Sequence, residues 1–244
     1  MELFSAAHPA EPVLDLAVSH ALLLQVARGE RPPAIRLYEP ARTVALGRLD
    51  VLRPAHRQAA AAARELGFTP LVRLGGGHAA AYGPGSLVYE EIVDDGRVDR
   101  MHERFRRVAS GLAETLNGLG APVSVGHLPR EYCPGAHSLI AAGTVKIGGL
   151  AQRIVRGGAL CSTAIVIAGG PEVRAVLTAV YEALAIDWDP ATAGGLAEVS
   201  AAVGLERARA AIAARRGTPA DLDPATLALA RELVGRHRVA LDGP

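Results

Sequence analysis

The chain has 244 residues, half of them hydrophobic, enough to bury one substantial core, so one large domain is the default expectation. Its 26 basic and 25 acidic side chains nearly cancel, which argues against a nucleic-acid surface or a membrane-binding face and points to small molecules or proteins as partners. Met1 to Pro9 carries neither a basic leader nor a long apolar stretch, and Cys133 and Cys161 are too few for a disulfide framework, so a cytoplasmic protein with reduced thiols is expected.

Between residues 13 and 28, Leu14, Ala17, Val18, Ala21, Leu22 and Leu24 fall on one helical face, and Gly29 ends the run. Residues 35–38 and 43–46 are β-prone, and the turn-like Glu39-Pro40-Ala41-Arg42 between them predicts two adjacent strands. Pro54 opens an alanine-rich helix that ends near Gly67. Residues 68–74 read as a strand entering Gly75-Gly76-Gly77, and residues 86–93 as a strand leaving it. Asp99 is placed to cap a helix over 100–119, with Phe105, Val108, Leu112, Leu116 and Leu119 at helical spacing. Strands are expected over 138–142, 145–155 and 159–167.

From residue 171 the pattern turns helical, with segments over 171–185, 196–203, 205–215 and 224–237; Asp223 before Pro224 is a cap-plus-first-turn signal. This tail is rich in alanine and arginine, but its apolar residues stay periodic, which predicts packed helix. The fold class is α+β, a mixed, mainly antiparallel sheet packed by helices.

Cys133 sits in a Cys-Pro-Gly turn, and Lys146 follows inside Val145-Lys146-Ile147-Gly148-Gly149-Leu150-Ala151. A lone cysteine is most often a small buried apolar residue, and a lone lysine is most often solvated. Here one charge is enclosed by small and apolar residues, so its ammonium needs a partner such as a thiolate or a carbonyl oxygen. A nearby cation stabilises the thiolate, the form that attacks carbonyls, and Gly148 and Gly149 let an acyl substrate approach the backbone. Cys161, in a core-like run, is the weaker nucleophile. His127 and His137 flank Cys133 and are second-choice bases. Gly75-Gly76-Gly77 is neither a Walker A loop nor a complete Gly-x-Gly-x-x-Gly fingerprint. Glu90, Glu91, Asp94 and Asp95 read as a strand-end charge cluster rather than a metal site, and no metal is expected.

Cys133-Pro134-Gly135 followed by Lys146-Ile147-Gly148-Gly149-Leu150-Ala151-Gln152-Arg153 resembles the octanoyl/lipoyl transferase branch of the biotin/lipoate ligase family. There Cys-Pro-Gly precedes Lys-(Ile/Phe)-(Ala/Gly)-Gly-(Ile/Leu)-(Ala/Ser)-Gln-Arg. Val72-Arg73-Leu74-Gly75-Gly76-Gly77-His78-Ala79 resembles the family's Arg-Arg-x-x-Gly-Gly-Gly-Ala loop, with one arginine for the usual pair and His78 at a usual alanine position. The resemblance spans most of residues 12 to 190. It implies the biotin/lipoate ligase catalytic fold over residues 1–244, with a helical C-terminal part from about 171.

The resemblance also implies a cysteine-dependent octanoyl or lipoyl transferase with Cys133 and Lys146 catalytic. Arg73, Gly75, Gly76, Gly77, His78, Gly148, Gly149 and Gln152 would position the acyl group, with no cofactor. The implied partners are lipoyl-domain proteins, namely the glycine cleavage H protein and 2-oxoacid dehydrogenase acyltransferase subunits, or acyl carrier protein. Burying an eight-carbon chain contributes roughly 5 kcal/mol at about 0.8 kcal/mol per methylene, so an apolar tunnel is expected. Two rival readings stand: an ATP-dependent lipoate-protein ligase, with Lys146 on an acyl-adenylate, and a noncatalytic acyl or lipoyl-domain binding protein.

Overall fold

The computed structural model describes residues 1–214 and 217–240. Its elements, in chain order, are β1 (Glu2–Phe4), α1 (Pro12–Ala27), β2 (Ala34–Tyr38), β3 (Thr43–Leu46), α2 (Arg48–Val51), α3 (His56–Glu65), β4 (Thr69–Val72), β5 (Ala80–Tyr82) and β6 (Ser86–Val93). They continue with α4 (Met101–Asn117), β7 (Val123–Gly126), β8 (Ser138–Ala141), β9 (Val145–Gly148), β10 (Leu150–Val155), β11 (Gly158–Val166), α5 (Gly170–Ala183), α6 (Leu205–Ala214), β12 (Thr218–Ala220) and α7 (Pro224–Leu233). Arg215, the last residue of the helix expected over 205–215, lies outside the described residues.

Proline in the first turn of α1 costs no hydrogen bond, because that N–H has no helical acceptor. The helix is buried on nearly all sides, from Val13 to Val26. It lies across β6 and β11 on one side and against α7 on the other. The large sheet has the order β10-β11-β6-β2-β1-β12. Its centre, β10 to β2, is antiparallel, and the β2-β1-β12 edge is parallel. This matches the expected α+β class.

Two smaller sheets, β4-β3-β5 and β7-β8-β9, flank the large one. The core falls into packed clusters. One joins the large sheet to α4 and α6 through Tyr89, Leu112 and Ile165. Another joins β3 and β5 to α3 and α5 through Val44, Ala60 and Leu177.

Several expectations are corrected. β2 and β3 are strands but not neighbours: β2 pairs with β6 and β1, whereas β3 pairs with β4 and β5. Both are buried at every position, so no polar face marks which sheet they join. The helix opening at Pro54 starts at His56, preceded by the short α2. Residues 145–155 form two strands, β9 and β10, divided at Gly149. Residues 196–203 form only a 3-10 turn, Leu196–Glu198.

The Asp99 cap is not made either. Asp99 lies inside a 3-10 turn, and the N-cap position of α4 is Arg100 with no side-chain cap. Asp223 does cap α7, accepting from the Thr226 N–H at 2.8 Å. The strands without a sequence forecast, β1, β5, β7 and β12, are three or four residues long.

Candidate active site

Cys133 has φ +41°, a left-handed conformation that costs a non-glycine residue energy and persists only where its surroundings enforce it. The surroundings are visible on both sides of the peptide. Its N–H donates to the Tyr181 hydroxyl at 2.8 Å, and that hydroxyl donates onward to the Ala79 carbonyl at 2.9 Å. Its carbonyl accepts from Lys146 Nζ at 2.9 Å.

Lys146 is fully buried on β9, and its three N–H donors are all engaged: Glu131 Oε1 at 2.9 Å, the Tyr132 carbonyl at 2.8 Å and the Cys133 carbonyl. Its ammonium also lies over the Tyr132 ring, 4.4 Å from the centroid. Burial pulls the Lys146 pKa below its ordinary value, with Glu131 and Cys133 opposing. The Glu131 carboxylate further accepts from Ser138 Oγ at 2.6 Å and from the Gly135 and Leu128 N–H groups. One buried ion pair therefore staples the loop from residue 128 to 138. Glu131 and Tyr181 were not foreseen; the only signal was an acidic residue two positions before Cys133.

Lys146, expected to pair with the thiol, bonds the Cys133 carbonyl instead, and the cation bonded to the sulfur is Arg73, with Nη2 3.2 Å from Sγ and 2.7 Å from the His78 carbonyl. Burial works against the Arg73 charge, yet Cys133, with Tyr181 and Tyr82 adding, holds the guanidinium above its ordinary pKa. Gly77, at φ +88°, makes room for this contact. A Cβ there would stand 2.6 Å from Sγ and 2.8 Å from Arg73 Nη2.

His78 turns to the buried Asp50, Nδ1 to Oδ1 2.8 Å, and Asp50 also accepts from the Gly47 N–H at 2.9 Å. The glycine loop is thus tied to the start of α2. His137 stacks on Phe105, ring centroids 5.3 Å apart, and burial lowers its pKa, with His102 and Arg106 adding to the shift. Among the described residues, no hydrogen bond joins His127 or His137 to Cys133. Burial, with Glu91 adding, pushes the Cys161 thiol up to about 12, which suits its place in the core.

A cavity opens behind the sulfur. Cys133, Lys146, Arg73, Gly75, Gly149 and Tyr132 line its mouth. The other expected positions build its surroundings. Gly148 packs on β11, where a Cβ would stand 2.7 Å from the Ala164 carbonyl, and Gly76 has open space around it. Gln152 holds α4 by accepting from Arg104 Nε at 3.1 Å and donating to the Met101 carbonyl at 2.8 Å.

The cavity is only in part the apolar tunnel expected. Leu16, Val88, Leu160 and Ala164 line it, but so do Ser19, Tyr38, Glu90 and Ser162. Glu90 and Glu91 are not a strand-end cluster: they sit inside β6, buried, because their partners lie on neighbouring elements. Arg107 from α4 pairs with Glu91, and Arg36 from β2 stands 3.6 Å from Glu90. Among the described residues, no three His, Cys, Asp or Glu side chains converge as a metal site.

Cys133 and Arg73 thus place a thiol beside a guanidinium at the mouth of this cavity, on this sheet arrangement. Residues 11–184 match the lipoyl protein ligase A/B catalytic domain model, and the chain belongs to that family. It is 30% identical over 167 residues to the octanoyl-[GcvH]:protein N-octanoyltransferase of Geobacillus kaustophilus, covering 67% of this chain and 58% of that one. To the enzyme of the same name from Anoxybacillus flavithermus it is 31% identical, covering 66% and 58%. The chain thus spans under two thirds of the length of these curated relatives.

Among solved structures, the fold is shared with a proposed lipoate protein ligase from T. acidophilum with bound lipoic acid. The TM-score is 0.76 and the identity 20%, over 96% of this chain and 95% of that one. A lipoate-protein ligase A bound with ATP gives a TM-score of 0.71 at 19% identity, over 96% and 94%.

Proposed function

We propose that this protein is a cysteine-dependent octanoyl (or lipoyl) transferase of lipoate assembly. The observation that carries the reading is the Cys133 sulfur, held at the cavity mouth by a strained backbone with Arg73 Nη2 at 3.2 Å. In the first step Sγ attacks the acyl carbonyl. The donor's C–N or C–S bond breaks, its amine or thiol leaves with the proton from Cys133, and a thioester forms. In the second step a lysine amine of the acceptor attacks the thioester, the C–S bond breaks, and the sulfur regains a proton.

Arg73 stabilises the thiolate, and Lys146 fixes the Cys133 carbonyl while bordering the cavity with its ammonium. Gly75 and Gly149, which line the cavity, leave space for the acyl group; Gly77 lets Arg73 reach the sulfur, and Gly76, His78, Gly148 and Gln152 shape the walls around it. The relatives' names point to octanoyl-[GcvH], the glycine cleavage H protein, as donor; acyl carrier protein is the other candidate donor, lipoyl domains of 2-oxoacid dehydrogenases are the proposed acceptors, and the cytoplasm is the proposed compartment. Transfer between two lysine amides is close to neutral, so no nucleotide is consumed.

The test is intact-mass analysis after mixing with octanoylated H protein or acyl carrier protein and an apo lipoyl domain, and separately with octanoate plus ATP. Wild type is expected to gain one octanoyl group on Cys133 and to pass it on without ATP, and Cys133→Ser to lose transfer by roughly 10³-fold or more. Product only with ATP would make it a ligase; no product in either tube would leave a binding protein.

A further inference from the structure

Leu49 and Leu52 are 57% and 70% exposed. They lie three residues apart, on α2 and at its C-cap, so they share one face. The two residues between them turn the other way. Asp50 is fully buried, and Val51 packs into the cluster that α3 and α5 build. α2 thus has an inner side that the core satisfies and an outer side that is left apolar. One leucine in solvent is ordinary, but an adjacent pair beside a reaction site marks a surface that something covers.

That pair borders the cavity mouth. Gly47, directly before α2, packs so closely on the glycine loop that a Cβ there would stand 1.7 Å from the Gly77 carbonyl oxygen, and a Cβ on Gly77 would stand 2.6 Å from Cys133 Sγ. Asp50 fixes the arrangement through His78 Nδ1 at 2.8 Å and the Gly47 N–H at 2.9 Å. Leu49 is two residues beyond Gly47, within about 7 Å of chain. The same stretch is basic. Between residues 48 and 57 the arginines are Arg48, Arg53 and Arg57, all exposed, and the acid is Asp50, turned inward. Arg53 donates to the Leu184 carbonyl at 3.2 Å, and among the described residues none of the three pairs with a carboxylate. In a chain whose charges cancel to +1, this is a local excess.

Resting on the acyl-transfer reading above, we propose that the outer face of α2, with Arg48, Arg53 and Arg57, is the docking surface for the acceptor, a lipoyl-type domain whose target lysine is set in an acidic surface with a small apolar spot. A lysine side chain is short, so the domain that carries it lies against the rim of the mouth while its amine attacks the thioester. On the side of the glycine loop that rim is α2. Unpaired arginines favour an acidic partner over a basic one and speed its encounter, while the leucines slow its departure. Charge also decides against a second copy of this chain, because a two-fold contact through this face sets its arginines against their own copies.

The test loads Cys133 with the octanoyl thioester of N-acetylcysteamine, a donor too small to need a docking surface, then adds an apo lipoyl domain and follows loss of octanoyl from the enzyme by intact mass. With Leu49→Ser and Leu52→Ser together, loading is expected to keep the wild-type rate, while the domain concentration that half-saturates transfer rises about tenfold. Arg48→Glu with Arg57→Glu should raise it by a similar factor at low salt and abolish the weakening by salt that wild type shows. Unchanged transfer in both double variants, or tighter use of the domain after charge reversal, overturns the proposal while leaving acyl transfer standing. So does a leucine variant that changes only the oligomeric state in sedimentation, which assigns the face to a second copy, and so does a wild type that loads but passes nothing to the domain. No octanoyl on Cys133 of wild type sinks the transferase reading and this docking surface with it.

Discussion

The two ends of the cavity are built in different ways. The mouth is assembled from two stretches, residues 73–78 and 131–149, in which nearby positions supply the cation, the gap and the thiol. The far wall draws Ser19 from α1, Glu90 from β6 and Ser162 from β11, backed by Asp15 of α1 and Arg36 of β2, residues spread over most of the chain. The mouth is therefore encoded in contiguous motifs, whereas the far wall is produced by tertiary assembly.

Removing the brace under the mouth should have the largest effect on the fold. Lys146→Met leaves the Glu131 carboxylate buried without its cation, which should cost about 3–5 kcal/mol of stability by chemical denaturation. Pairing it with Glu131→Leu should restore a good part of that loss, since the unpaired charge is then gone. An unrecovered double variant would show that the loop is held by its other bonds, and the mouth would then be less local than described.

Arg73→Gln tests the chemistry of the same end. Losing the guanidinium beside Sγ should slow acylation of Cys133 by roughly 10²-fold, and Arg73→Lys should fall between, because an ammonium cannot bridge Sγ and the His78 carbonyl with the same planar fork. The measurement is the single-turnover rate with a small octanoyl thioester. An unchanged rate would transfer the thiolate-stabilising role from Arg73 to Lys146.

The contrast between the ends also explains what was legible. Cys133, Lys146, Arg73 and the glycine loop stood out because each lies in a run whose neighbours are small or turn-forming, and helices such as α1, α4 and α7 stood out by their apolar spacing. Glu90 did not. Read along the chain, Glu90-Glu91 beside Asp94-Asp95 looks like a charged strand end, and only Arg36 and Arg107, from elements far away in sequence, make both acids buried. The separation of β2 from β3 was hidden for a related reason: strands buried on both faces carry no alternation to declare a sheet. Glu131 was missed because an acid beside Arg130 reads as surface charge until Lys146 is folded onto it.

The smallest effect concerns the tie between the two ends. His237 Nδ1 donates to the carbonyl of Val72, the residue before Arg73, at 2.9 Å, and His237 Nε2 stands 3.2 Å from Nδ1 of His20 on α1, next to Ser19. The pair thus links the helix that supplies the far wall to the strand that delivers the mouth cation. Burial holds His20 down to about 4, with His237, Arg236 and Arg153 adding to the shift, and His237 is lowered as well. The unfolded chain takes up its proton near the ordinary histidine value of about 6.5, so between the two values it binds more protons than the native state. Stability is then complete above about pH 6.5 and declines as pH falls towards 4. Thermal melts of wild type should show Tm dropping by a few degrees over that window, and His20→Gln, which cannot take up that proton, should flatten the drop. If both proteins fall together, the imidazole pair is not what couples the helix to β4, and the two ends are held in register by the apolar packing of α1 alone.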